Sequence, residues 1–183
     1  KAEITWDATD PDKDEMIATV QYRPAGGGNW TEIAEVNADD SSCDWETTKL
    51  TDGLYEVRVL VSDEVSNPGA ALSSEVIAYG VRLDNTPPDL SFQKIYVQDG
   101  RLIVEGLASD NTALAEVSYQ VGTQWRGATP VDGAYDSQYE QFRLAVALKE
   151  GKAEVDVRAQ DTAGNTLTKS VSWPLEEERT ARP

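Results

Sequence analysis

The 183-residue sequence has no histidine, one cysteine (Cys43), one methionine and two phenylalanines. Without histidine there is no imidazole base, metal ligand or near-neutral switch, which removes Ser-His-Asp and Cys-His chemistry. A single cysteine excludes an internal disulfide and a CxxC metal knuckle. No apolar run approaches the roughly 20 residues that a membrane-crossing helix needs. Basic residues are scarce as well: 16 Lys and Arg stand against 33 Asp and Glu, a net charge of −17. That excess repels phosphate backbones and anionic lipid, so neither nucleic acid nor a membrane surface is an expected partner.

What is present has a period of two rather than 3.6. Ala153-Glu154-Val155-Asp156-Val157-Arg158-Ala159-Gln160-Asp161 alternates small or apolar with polar residues, the pattern of a strand with one buried face. Tyr55-Glu56-Val57-Arg58-Val59-Leu60-Val61-Ser62-Asp63 has the same layout 98 positions earlier. Each run follows a glycine turn, at Gly53 and Gly151, and precedes a loop ending in Asn67 or Asn165. Trp30 recurs as Trp125. A period this long points to two copies of a domain, not to a solenoid. Between them, Asp84-Asn85-Thr86-Pro87-Pro88 places two prolines where no strand ladder can continue. The expected organisation is a sandwich over residues 1–86, another over 87–175 and a charged tail over 176–183.

The second copy shows runs near 90–97, 101–108, 114–121, 124–129, 139–148, 153–160 and 166–173, without a helical stretch. That predicts an all-β fold of two tandem antiparallel β-sandwiches. The first copy has runs near 3–8, 16–23, 30–36, 43–48, 54–62 and 74–82 and no counterpart of 90–97. The chain opens on Lys1 within a strand pattern, so it reads as a fragment whose first domain lacks its first strand.

Ile4-Thr5-Trp6 followed by Asp10-Pro11-Asp12-Lys13-Asp14 resembles the opening of bacterial fibronectin type III-like and cadherin-like modules, with Lys13 at that motif's glycine. Tyr22 to Trp30 is similar to their glycine-rich hairpin, and Asp52 to Val59 to their DGxYxVRV strand. Arg158 to Asn165 looks like the RAxDxAGN segment of bacterial Ig-like repeats. The resemblance implies a non-catalytic accessory or spacer module of a large secreted or surface protein, often following a β-propeller. It also implies a tyrosine corner at Tyr55, with a looser one at Ala153.

Three residue groups are candidate sites. Asp10, Asp12, Asp14 and Glu15 crowd carboxylates into one loop, which suits the hard oxygen ligands of Ca²⁺; the spacing does not fit an EF-hand. Sandwich loops alternate between two poles, so Asp84, Asn85, Asp110, Asn111, Asp161 and Asn165 are expected to gather at the domain junction as a second calcium candidate. Ordinary turn chemistry explains both groups and is the preferred reading, because Asp and Asn bond their own backbone. Trp125 with Tyr135 and Tyr139 could form a stacking platform for polysaccharide. Packing at the core or rim is preferred for these rings as for Trp6, Trp30 and Trp45, given the area each buries. Phe142, Leu144 and Val146 alternate as core, and Cys43 reads as a buried small hydrophobe. Asn29-Trp30-Thr31 is a formal glycosylation sequon.

No constellation supports catalysis. The reading is an extracellular, cell-surface or periplasmic structural or interaction module whose partner is a protein or an adjacent domain of its parent chain. The alternative is a carbohydrate-binding accessory region around Trp125. A third reading, in which the pair caps a propeller, calls for an exposed apolar patch near Lys1.

Overall fold

The computed structural model describes residues 1–175, and the expected charged tail at 176–183 lies outside the described residues. The chain divides into two compact units, Lys1–Asn85 and a second from Thr86 onward. Both are antiparallel β-sandwiches, so the fold is all-β, as the period-two pattern requires.

The first unit contains β1 (Ala2–Thr5), β2 (Ile17–Pro24), β3 (Thr31–Asn37), β4 (Ser42–Trp45), β5 (Gly53–Ser62) and β6 (Ser73–Leu83). One sheet has the order β3-β2-β5-β6, and among the described residues the facing sheet consists of β1 and β4. Ala18 and Val20 of β2 and Tyr55 and Val57 of β5 point inward on alternate positions and are buried. Trp45 comes from the facing sheet at 3% exposure, so it is core, as its alternation predicts. Its ring centroid lies 5.1 Å from that of Tyr22 and 6.0 Å from that of Tyr55. Trp6 is half-buried against this cluster and donates its indole N–H to Ala38 O at 3.0 Å. Cys43 also packs there, and burial raises its thiol pKa.

The second unit contains β7 (Asp89–Gln98), β8 (Arg101–Ser109), β9 (Leu114–Val121), β10 (Gln124–Gly127), β11 (Thr129–Pro130), β12 (Tyr139–Ala147), β13 (Ala153–Asp161) and β14 (Thr166–Trp173). Its sheets run β10-β9-β13-β14 and β11-β12-β8-β7. The first sheet matches β3-β2-β5-β6 strand for strand, while the facing sheet has four strands where the first unit has two. Phe142, Leu144 and Val146 of β12 meet Val155, Val157 and Ala159 of β13 in a continuous core.

One position in that core admits no side chain. A Cβ on Gly106 would lie 2.5 Å from Phe142 Cζ and 2.5 Å from Ser91 O. Gly106 pairs with Phe142, whereas in the first unit Trp6 bonds through its N–H to Ser41 O. The first unit thus carries its large ring on the β1 side of the pair, as the half-buried Trp6, and the second on the β12 side, as the buried Phe142.

Candidate functional site

At one pole of the first unit, the loop after β1 meets the loop between β5 and β6. Asp10 starts a turn in which its Oδ1 accepts from the backbone N–H of Asp12 at 2.7 Å and of Asp14 at 3.3 Å. Lys13, at the position of the motif's glycine, takes φ 62°, the left-handed conformation that glycine adopts at no steric cost. Across the pole, Asp63 is 6% exposed and its Oδ1 accepts from Leu72 N at 2.6 Å. Asn67 Nδ2 bridges Asp14 Oδ2 at 2.7 Å and Asp63 Oδ2 at 2.9 Å. Ser66 Oγ accepts from Glu15 N at 2.9 Å, closing the same clamp.

The expected loop cluster is therefore corrected in membership. Carboxylate oxygens of Asp10, Asp14 and Asp63 lie within 4.8 Å of one another, while Asp12 and Glu15 are exposed on the loop. Three carboxylates this close repel unless donors stand among them, and here backbone and amide N–H groups supply them. Asp63 escaped the sequence reading because it lies 53 positions from Asp10 and becomes a neighbour only when β5 crosses the sheet. The signal that could have found it was the spacing from Asp63 to Asn67, which recurs from Asp161 to Asn165.

The corresponding pole of the second unit repeats the chemistry. Asp110 Oδ1 accepts from Thr112 N and Thr112 Oγ1, both at 2.8 Å. Asp161 is 1% exposed, and its two carboxylate oxygens accept from Asn165 N and Asn165 Nδ2, each at 2.9 Å. Carboxylate oxygens of Asp110 and Asp161 approach within 4.8 Å, and Asp110 Oδ2 is buried with no hydrogen bond among the described residues. Asn111 contributes its carbonyl, which accepts from Gln138 Nε2 at 2.6 Å. Asp84 and Asn85 follow β6 and close the first unit. Asn85 is committed there: its N–H donates to Asp52 Oδ1 at 2.7 Å, and its amide to Thr47 O and Leu50 O at 3.0 Å each. This fastens the turn before β5, at the end of the sheet opposite Asp63.

No protein-family model matches the chain, and no curated protein does. The site must be judged on its own geometry.

The three aromatic candidates come from different elements. Trp125 lies on β10 in one sheet and Tyr139 on β12 in the other. Tyr135 packs against the core and donates its hydroxyl to Ala128 O at 3.2 Å. Burial raises the Tyr135 pKa well above the ordinary tyrosine value, and the carboxylates of Glu140, Glu116 and Asp132 add to it. The hydroxyl is thus a fixed neutral donor. Trp125 is 37% exposed, with the Arg158 guanidinium 4.3 Å from its ring centroid. Trp30 is covered in the same way, by Arg23 at 4.3 Å and Arg58 at 4.5 Å. These are rim tryptophans roofed by arginine, an arrangement that satisfies the ring face by cation–π attraction.

Proposed function

We propose that the chain is a non-catalytic structural or interaction region: two copies of one Ig-like or fibronectin type III-like module serving as a spacer, docking or assembly part of a larger bacterial surface or secreted protein. One observation carries this reading. In both units the buried carboxylate at the loop pole, Asp63 or Asp161, is spent on the backbone and on the Asn67 or Asn165 amide of its own loop, and Asn67 further ties that loop to Asp14. Chemistry directed inward in both units holds loops in place, which is what a module transmitting position requires.

The carbohydrate reading has Trp125 to support it, yet Arg158 occupies one face of that ring, and Tyr135 is committed to the core and to Ala128 O. Calcium has the clusters to support it. At Asp10, Asp14 and Asp63, however, a cation would have to displace the Asn67 amide N–H group that already bridges two of the carboxylates. A glycan array and a calorimetric Ca²⁺ titration of the chain test the proposal together. No glycan signal and no calcium heat are expected. A glycan signal lost on Trp125→Ala would replace this reading with the carbohydrate one. Calcium heat lost on Asp63→Asn would make the pole a cation site.

A further inference from the structure

The two units differ most at one edge. In the second unit, β8 is paired on both sides, by β12 and by β7. In the first unit, β1 pairs with β4 alone, and its other edge is free among the described strands. Beside that edge runs a groove of about 510 Å³. It is walled by Ile4 and Trp6 on one side and by Val59, Val61, Val76 and Ala78 on the other. Val76 is 72% exposed.

The strand ladders show what the second unit does with the same space. Val59 pairs with Val76 on β5 and β6, and Val157 pairs with Lys169 on β13 and β14. Val157 and Ala159 are fully buried, whereas Val59 and Val61 are only partly so. The difference is β7, which lies along β8 and sends Leu90, at 0% exposure, into the core with Phe92 and Ile95. Lys169 reaches across to β7, bonding Leu90 O and pairing with Asp89 at 3.4 Å.

We infer that the groove of the first unit is an acceptor site for one extended polypeptide strand, which adds antiparallel to β1 and buries alternate apolar side chains over Val59, Val61 and Val76. An unpaired edge beside an apolar wall is the geometry of β-augmentation: backbone hydrogen bonds supply affinity and the wall selects side chains. The groove also dictates where the occupant differs from β7. Asp7, Asp10 and Asp63 line the end where β7 would begin, and valine stands in place of Lys169, so the incoming strand starts with a basic residue instead of Asp89. Trp6 stands where Gly106 faces Phe92, so the residue opposite it is small. The 176–183 segment, with three consecutive glutamates, has the wrong charge for this groove. The open edge and the valine wall are the same whether the modules space, anchor or bind glycan.

The probe is a peptide of the Asp89–Gln98 sequence carrying Asp89→Lys and Phe92→Ala, added to the full chain. The same strand is also fused ahead of Lys1 through a two-residue Asp-Gly turn like Asp99–Gly100, whose φ values are 49° and 71°. Amide exchange is expected to slow across β1 and β6, and the fused strand should raise the melting temperature of the first unit. The Lys-headed peptide should bind about threefold more tightly than the Asp-headed one, the scale of one exposed ion pair. Val76→Lys changes an exposed residue, leaves the fold intact and should reverse that preference. Equal effects from a scrambled strand, or no protection of β1 from either the free or the fused strand, would overturn the proposal. So would self-association through this edge that the peptide does not compete away. None of these results bears on glycan or calcium binding, so the preceding proposal stands or falls separately.

Discussion

Gly106 is a residue at which the second core admits no added methyl group. A methyl group there would have to displace both the Phe142 ring and the Ser91 carbonyl, 2.5 Å away in each case, and the carbonyl belongs to the backbone of β7. Gly106→Ala is expected to destabilise the second unit by about 2–3 kcal/mol, the scale of overpacking in a rigid core. Urea unfolding should show it, with the first unit unchanged. The sequence offers no hint of this, because a glycine within an alternating run reads only as a weak strand position. Tyr55 is the opposite case. Its place after Asp52-Gly53-Leu54 is legible in the chain, and its hydroxyl donates to Thr51 O at 2.8 Å, as a tyrosine corner requires.

At the scale of the element, β12 is the strand whose entry depends on a buried charge. Glu140 is 1% exposed, and its Oε1 accepts from Asp136 N at 3.0 Å and Ser137 N at 2.8 Å, which fastens the preceding loop to the strand. Burial alone would raise its pKa; the bonds from Asp136 and Ser137 outweigh that and hold the carboxyl below its ordinary value of 4.5. A depressed folded-state pKa contributes stability above the unfolded value, and that contribution is lost as pH falls through the folded one. Glu140→Gln should therefore cost about 1 kcal/mol at neutral pH, the difference between charged and neutral acceptors. The cost should shrink as the pH is taken from neutral to acid through the folded-state pKa, where wild type loses the charge too. Denaturant midpoints of both proteins at neutral and acid pH test this, and an equal cost at both would refute a charge-assisted role. Strand positions at 90–97, 153–160 and 166–173 are legible because alternation with a buried face needs no tertiary information. Which carboxylates share a pole is not legible, since strand crossing makes the neighbours.

For the whole molecule, the two units carry separate cores of unequal size. The buried cluster of the second contains fourteen apolar residues and that of the first five. Apolar burial is the main favourable term in folding, at roughly 25 cal/mol per Å². Calorimetry should therefore resolve two transitions, the first unit melting at the lower temperature. Gly106→Ala should move only the upper one. A single transition at all scan rates, shifted whole by that substitution, would show that the units do not melt separately.

Sequence alone determined the all-β class, the period-two strands and the proline break between the two units, because each follows from local alternation and from the backbone limits of Pro. It also excluded histidine chemistry and an internal disulfide, since folding cannot supply an imidazole or a second thiol. Tertiary structure decided the rest. It placed Asp63 beside Asp10, roofed Trp125 and Trp30 with arginines, closed Phe142 over Gly106, and left β1 with an open edge among the described strands. Those outcomes depend on which strands lie side by side. In a sandwich, that is set by the packing of two sheets and not by any stretch of chain read alone.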